Sequence, residues 1–442
     1  ILRRMGPHEG EDAANALISS LAARAAGGSE AYAVGSPAAG GAVDGYRYRA
    51  ICGGQAHSIL SELDQGRAYV PTKASDWMQQ HLLCKVQFPP PPRGGGIRKS
   101  LIYTDDEESA GLGSRMLRVV SAMWTAVGQE RTMVHNSDGH WLYTAGRTCR
   151  SRNNDCYFQR ISNVSVSHYH ADKKHRQHGH GHGHMGGASV LTDREEKVME
   201  WTRKSLGAFY EKHGRGAGWH KKVVPFKSGL PRTGCWAVGQ LLFFLMQPNT
   251  AVAAAARRAK ADLGFRHPAI AMHVRHGDRA AAGQANALHG LSKYMAEARK
   301  LAPGVKNILI MTEDQAVIDD TRLFPGFNFI YTKVPRLNMN IAQGIREGKI
   351  DPEGEIHNAL INLYMAADSD YFVGALGSSW ARLVLMLSLG KYNCLQPHRT
   401  LGTRWASKWE FAMCSGKEFD EVAAKNMCRV PGGAGKGRKQ LL

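Results

Sequence analysis

The sequence predicts an α/β fold whose C-terminal half is a mostly parallel sheet with helices on both faces. Three observations carry this. From Trp236 onward, short apolar runs of strand length alternate with longer segments of helical period. The runs Ala269–Val274, Asn307–Thr312 and Tyr371–Ala375 are almost wholly apolar, as strands covered on both sides are. Polar segments follow them: Arg275-His276-Gly277-Asp278-Arg279, Glu313-Asp314 and Gly377-Ser378-Ser379. In such sheets ligands bind beyond the carboxyl ends of the strands. That places all three segments at one rim.

The elements follow in chain order. Residues 1–95 form a Gly/Ala-rich extension that ends in a stiff-then-flexible linker, Pro89–Pro92 followed by Gly94–Gly96. Within it, Ala13–Ala26 is interrupted by Ser and Arg and reads as a surface helix, without the apolar core of a signal peptide. Residues 96–265 form an open-sheet α/β unit. Its helix Leu112–Val127 carries Met116, Val119, Val120, Met123 and Ala126 at helical spacing, directly after Gly111-Leu112-Gly113. Strands are expected at Arg131–Val134 and Trp141–Tyr143. An insert at 168–187 alternates His178, His180, His182 and His184 with Gly. Such a tract can bind metal, but alternating Gly leaves its ligands unordered, so it reads as an exposed loop and not a catalytic centre.

Helices Trp236–Met246 and Ala251–Leu263 lead into a Rossmann-like unit at 266–400. Its expected order is strand Ala269–Val274, helix Leu291–Leu301, strand Asn307–Thr312, helix Gln315–Leu323 and strand Asn328–Thr332. Helix Glu353–Ala367, strand Tyr371–Ala375, helix Ser379–Leu389 and a last strand Lys391–Leu395 complete it. Residues 401–442 form a basic tail.

The formal charge is +19 at pH 7. A basic surface attracts phosphates of any kind, whether nucleic acid, anionic lipid or a nucleotide-sugar diphosphate. No zinc-finger spacing or RNA-binding strand pair is visible, so a nucleic-acid or scaffold role rests on charge alone. No window of about 20 uninterrupted apolar residues spans a bilayer. The first residue is Ile1 and not Met, which leaves room for an upstream membrane tether. The eight cysteines show no C-x-x-C spacing and suit disulfides or buried thiols equally. Asn163-Val164-Ser165 is a glycosylation sequon.

The rim residues suit a diphosphate. Arg275 directly follows a buried strand, where a guanidinium can clamp phosphate oxygens with two parallel hydrogen bonds. Its other reading is a surface salt bridge to Asp278. Ser378 and Ser379 open a helix, whose first N–H groups and positive dipole end suit phosphate; the plain reading of Ser378 is a helix N-cap. There is no Asp-x-Asp. Glu313 and Asp314 are adjacent at a strand end, where neighbours point to opposite faces and do not share one ion.

With these residues in view, the stretch from about Gly111 to Leu389 resembles the core α1,6-fucosyltransferases and the wider group containing protein O-fucosyltransferases and Nod-factor enzymes. The resemblance is carried by Trp236-Ala-Val-Gly-Gln-Leu-Leu, by Leu263 through Arg275, by Arg131-Thr-Met-Val with Trp141, and by Ser378-Ser379-x-x-Arg382. It implies a two-domain GT-B-like transferase with a C-terminal nucleotide-sugar domain. It further implies a GDP-fucose donor, inversion at the sugar carbon, no metal or other cofactor, a glycan or glycoprotein acceptor, and a Golgi-lumen or secretory location. Arg275 would hold the β-phosphate with Ser379, Gly111 and Gly113 would let backbone approach the diphosphate, and His273 would lie against the base. Asp278 and Tyr294 would lie in or near the site.

The sequence departs from the family at three positions. His276 stands where the family has a second Arg. The family's basic Glu aligns on Ala285, beside Gln284, and neither accepts a proton usefully. The guanine-reading Asp aligns on Asn362, whose amide offers one donor and one acceptor and suits uracil as well. After Gln396 a basic segment and a Gly/Lys-rich tail stand in place of the family's SH3-like domain. The expectation is a transferase for fucose or a related sugar. The alternative is a binding or structural protein on the same fold that has lost catalysis.

Overall fold

The computed structural model describes residues 79, 85–88, 100–104, 111–128, 131–136, most of 141–162, 188–192, 224–225, most of 231–276, 289–402 and most of 414–430. The Ala13–Ala26 segment, the His/Gly tract, Asn163, Cys52, Cys84, Asp278, Gln284 and Ala285 lie outside the described residues.

The first sheet is built from β1 (Ser100–Thr104), β2 (Thr132–Asn136) and β3 (Ala188–Thr192), with α1 (Leu112–Gly128) between the first two. The order is β2-β1-β3 and all pairs are parallel, Ser100 standing opposite Thr132 and Ala188. Right after Gly111, α1 buries Met116, Val119, Val120, Met123 and Trp124. The expected strand Trp141–Tyr143 is a turn instead, closed by Thr144 N–H on the Trp141 carbonyl at 2.9 Å. Its side chains are held by aromatic packing and not by a ladder. The Trp141 ring lies 5.3 Å from Tyr143 and 5.8 Å from Tyr157, and Tyr157 Oη donates to the Tyr143 carbonyl at 3.0 Å.

The second sheet follows α2 (Gly234–Leu245) and α3 (Thr250–Asp262). Its elements are β4 (Ala269–His273), α4 (Leu291–Leu301), β5 (Asn307–Met311), α5 (Gln315–Asp319), β6 (Asn328–Ile330), α6 (Ile341–Arg346), α7 (Pro352–Asp368), β7 (Tyr371–Gly374), α8 (Ser379–Tyr392) and β8 (His398–Thr400). The strand order is β8-β7-β4-β5-β6, parallel throughout. The chain runs from β4 outward through β5 and β6, then returns to the other side of β4 for β7 and β8. The topological switch point therefore lies between β4 and β7, where the strand ends diverge and leave a crevice.

Alternation along β4 sends its side chains to two cores. Ala269 and Ala271 join the cluster of α2, α7 and α8, whereas Ile270 and Met272 join Leu291, Tyr294 and Met295 of α4. The predicted last strand, Lys391–Leu395, is corrected. The helix continues through Tyr392 and stops at Asn393, which takes the left-handed conformation with φ 55°. Leu395 makes only an isolated bridge to Met427, and the edge strand comes later, at His398–Thr400. Lys391, the first residue of that predicted strand, lies in the helix and is 1% exposed because its ammonium reaches Asp368.

α2 and α8 cross with their backbones in contact. A Cβ on Gly390 would meet the Gly239 carbonyl oxygen at 2.0 Å, so only glycine allows this crossing. A buried amide network seals it. Gln240 Nε2 donates to the Gly390 carbonyl and to Asn393 Oδ1, both at 3.1 Å, and Trp236 Nε1 donates to the same Oδ1 at 3.2 Å. Among the described residues three disulfides form: Cys149–Cys156, Cys235–Cys414 and Cys394–Cys428. Cys235 ties α2 to the turn before α9 (Gly416–Lys425). No helix among the described residues is long and apolar enough to cross a membrane.

Candidate functional site

The site begins at the carboxyl end of β4. Arg275 follows that strand, with its side chain about a quarter exposed, and Nη1 donates to Glu313 Oε1 at 2.6 Å. The same oxygen accepts the His276 backbone N–H at 3.0 Å. Glu313, just after β5, thus fixes both the guanidinium and the backbone that carries it. The Arg275 ion pair seen here is with Glu313.

His276 is held at both ring nitrogens. Nδ1 lies 2.8 Å from Asp314 Oδ2 and Nε2 lies 3.1 Å from the His289 carbonyl. Both partners are acceptors, and they hold the ring in place from two sides. Asp314 also caps α5, its other oxygen accepting Ala316 N–H at 3.0 Å. Glu313 and Asp314 therefore engage separate basic partners, Arg275 and His276.

Across the switch point, β7 ends and α8 begins. Ser378 is the N-cap residue, 5% exposed, and makes no side-chain capping bond. Arg382 shapes the turn before it, donating Nε to the Leu376 carbonyl at 2.6 Å, while Thr400 Oγ1 accepts Leu376 N–H at 3.3 Å. Ser379 Oγ lies 3.0 Å from Ser114 Oγ. A Cβ on Gly113 would stand 3.0 Å from the Ser379 carbonyl carbon and from Trp380 N. Gly113 thus lets the N-terminus of α1 close onto the N-terminus of α8, and the positive ends of two helix dipoles converge. A Cβ on Gly111 would meet nothing within 4 Å, so protein packing does not require glycine there.

Of the remaining sequence-predicted residues, His273 ends β4 at 4% exposure, on the α7 and α8 side. Tyr294 is 2% exposed in the apolar cluster under α4, among Met272, Val274 and Met295. Its position on the inward face of an amphipathic helix makes it a core residue. Asn362 is 7% exposed on α7. Its Nδ2 faces three acceptors: the Asn358 carbonyl and Oδ1 at 2.9 Å, and Thr332 Oγ1 at 3.2 Å. Those acceptors fix the amide orientation. Asn362 Oδ1 is buried and has no donor among the described residues.

Sequence reasoning missed three contributors. Glu313 was weighed only as a metal ligand, and its partner Arg275 is 38 residues away. Arg336 sits in a loop with no motif. It donates to the carbonyls of Thr312, Val334 and Thr332 and joins the ends of β5 and β6, and burial holds its guanidinium below the usual value. Glu355, in the first turn of α7, is partly buried. Burial, then the negative charge of Glu313, push its carboxyl up to about 7. A cleft of about 460 Å³ lies against α5, lined by Gln315, Arg322, Tyr331, Lys333 and Arg336 among others; it includes neither Arg275 nor the serines of α8.

Residues 231–384, about a third of the chain, match the family model of alpha-(1,6)-fucosyltransferase N- and catalytic domains. That span covers α2 through the first turns of α8 and contains Arg275, Asn362, Ser378 and Ser379. Over it the chain is α1,6-fucosyltransferase-like. Among solved structures, the chain is similar to the fucosyltransferase NodZ from Bradyrhizobium, with 14% identity, 66% of this chain and 94% of that chain covered, and a TM-score of 0.37. It is similar to a variant of Arabidopsis thaliana FUT1 in complex with GDP, with 12% identity, coverage of 75% and 85%, and a TM-score of 0.38. It is also similar to POFUT1 in complex with GDP-fucose, with 12% identity, coverage of 69% and 99%, and a TM-score of 0.38.

Proposed function

We propose that this α1,6-fucosyltransferase-like chain transfers fucose, or a related sugar, from a nucleoside-diphosphate donor to a glycan or glycoprotein hydroxyl. The transfer inverts the sugar carbon and uses no metal. One observation carries the reading. Arg275 and the N-terminus of α8 stand on the two sides of a parallel-sheet switch point, both within the span that matches the family, and the N-terminus of α1, outside that span, closes onto that of α8.

The chemistry follows from charge. When the bond between sugar and phosphate breaks, negative charge grows on the β-phosphate of the leaving nucleotide. Fixed donors aimed at that charge lower the barrier, because they need no reorganisation during the reaction. Arg275 is such a donor, held in place by Glu313. His276, held by Asp314, stands where the family has a second arginine. The first N–H groups of α8, opened by Ser378 and Ser379, supply a helix-terminus phosphate seat. Metal-independent transfer is supported by the same arrangement: Glu313 and Asp314 hold Arg275 and His276 and do not converge on a shared point.

At the base end, Asn362 presents one buried acceptor and no spare donor. It suits a single imino N–H, which guanine and uracil both have. The disulfides among the described residues support folding in an oxidising compartment such as the Golgi lumen or secretory pathway. A panel of GDP- and UDP-sugars, with and without EDTA, tests the reading. Donor turnover that persists in EDTA is expected. No turnover with any donor, despite nucleotide binding, would leave the degenerate binding protein as the better account.

A further inference from the structure

Among the described residues, three cations line the cleft beside α5: Arg322, Lys333 and Arg336. One acid lines it, Asp319, and Gln315 Nε2 donates to that carboxylate at 3.0 Å. Arg322 and Lys333 are exposed and have no hydrogen bond or ion pair among the described residues. Arg336 is partly buried. It donates to the carbonyls of Thr312, Val334 and Thr332, and its guanidinium stands 5.6 Å from the Tyr331 ring. No carboxylate among the described residues answers its charge, and burying a charge costs free energy unless an anion compensates it.

The cleft is more than an ion seat. Ile318, Tyr331 and Val334 give it an apolar wall, and its volume of about 460 Å³ lies within the range of about 300–1,000 Å³ for small-ligand pockets. An inorganic ion has no use for that wall. A sugar ring presents C–H faces to such side chains and hydroxyls at its edge, and an acidic sugar adds the anion. Two segments join the cleft to the candidate site. Asp314, which holds His276 at 2.8 Å, is the N-cap of α5, and the next residue, Gln315, lines the cleft. Thr332 Oγ1 accepts from Asn362, and its chain neighbours Tyr331 and Lys333 line the cleft. The cleft therefore adjoins the site beyond the carboxyl ends of β5 and β6.

We propose that this cleft is a subsite for an acidic sugar of the acceptor, one bearing a carboxylate or a sulfate, on the transferase reading given above. Arg322 and Lys333 meet the anion as it arrives from solvent. Arg336, already fixed by three carbonyls, gains the compensating charge that the fold does not supply. Tyr331 and Val334 pack against the sugar ring. The acceptor is the substrate that suits this place. The donor's diphosphate has its seat at the switch point, and the cleft contains neither Arg275 nor Ser378 or Ser379.

The test compares the full chain with the double variant Arg322→Gln, Lys333→Gln. Both residues are exposed, so the change removes charge without touching the core. Arg336 is kept, because it joins the ends of β5 and β6. The calorimetric probes are a sialylated trisaccharide, a sulfated disaccharide, the uncharged counterpart of each, inorganic sulfate, a glutamate-rich peptide and GDP. The natural protein should bind the acidic saccharides at least about tenfold more tightly than the neutral ones, and the variant should lose about tenfold or more for the acidic ones alone. GDP affinity should stay within about twofold, because Arg275 and α8 are unchanged. With an acidic acceptor the variant should raise KM and leave kcat near the natural value. Equal binding of the acidic saccharides by both proteins overturns the assignment. Inorganic sulfate bound as tightly as the sulfated saccharide overturns it in favour of an ion site only, and tighter binding of the peptide overturns it in favour of an acidic polypeptide. A GDP affinity that falls as far as the saccharide affinity gives the cleft to the donor. Turnover separates the two readings. Saccharide binding that depends on Arg322 and Lys333, in a protein that consumes no donor, keeps the ligand class of the cleft and defeats the transferase. Donor turnover with unaltered saccharide binding in the variant keeps the transferase and defeats the subsite.

Discussion

Replacing Asn362 with aspartate tests how the site reads its base. Asn362 Oδ1 is a buried acceptor with no donor among the described residues, and Nδ2 is committed to Asn358 and Thr332. The natural residue therefore offers an incoming base one neutral acceptor. Guanine presents two adjacent donors, N1–H and N2–H, and uracil presents one imino N–H. A carboxylate accepts both guanine donors at once and carries charge. Hydrogen bonds to charged groups contribute about 1–2 kcal/mol more than neutral ones, which corresponds to roughly five- to thirtyfold in relative affinity. The natural protein should thus discriminate weakly between GDP and UDP, and Asn362→Asp should raise the GDP/UDP affinity ratio by about that factor.

The substitution has a fold cost that can be worked out in advance. Asp brings no N–H, so Thr332 must rotate its hydroxyl to donate and Asn358 must turn its amide to offer Nδ2. Both movements are available to those side chains. The residual cost of a charge at a 7% exposed position should be about 1–3 kcal/mol, seen as a lower Tm in the nucleotide-free protein. Calorimetric titration of GDP and UDP against both proteins is the assay. A folded Asn362→Asp protein whose GDP/UDP ratio does not move would refute the reasoning, as would strong GDP selectivity in the natural protein.

Other outcomes follow from the same geometry. Arg275→Ala should weaken GDP binding at least tenfold, because each charge-assisted bond lost costs about 1.5–3 kcal/mol; unchanged calorimetric affinity in folded protein would remove Arg275 from the site. Asp368 is buried with Lys260 and Lys391, and receives the Tyr392 hydroxyl at 2.9 Å. Burial opposes its charge, but the two ammonium groups prevail and hold its carboxyl below the usual range. A depressed folded value means that this stabilisation is present above the unfolded value of about 4 and is lost as pH falls further, so thermal stability should hold through neutral pH and drop in acid. Asp368→Asn should cost about 3–5 kcal/mol at pH 7, since it leaves two buried cations without their anion, and a Tm within error of the natural protein would contradict this. Gly390→Ala should destabilise by about 1–3 kcal/mol through overpacking against Gly239, measurable by chemical denaturation.

How much of this was legible in the sequence depends on the range of each interaction. The strands Ala269–His273, Asn307–Met311 and Tyr371–Gly374 were readable because burial on both faces demands unbroken apolar runs, a local signal. Arg275 and Ser379 were readable because strand ends fix which residues reach the rim. The span Lys391–Leu395 misled because the burial of Lys391 inside the helix depends on Asp368, 23 residues away, which no local pattern reveals. Trp141–Tyr143 misled because three consecutive apolar residues satisfy a strand pattern and an aromatic knot equally well.

The site itself is assembled almost wholly by long-range contacts, and this explains what the sequence left open. Ser114 and Ser379 meet across 265 residues, and the requirement for glycine at position 113 exists only because α8 starts there. His276 looked like a weakened arginine. Its ring is positioned by Asp314 and the His289 carbonyl, which its neighbours in sequence do not reveal. Glu355 carries no motif and would be read from sequence as a first-turn acid that favours its helix. Burial in the fold, and after it the charge of Glu313, raise its carboxyl to about 7. Residue types at rim positions therefore indicate phosphate chemistry, while the burial and the long-range partners of each group arise only from the fold.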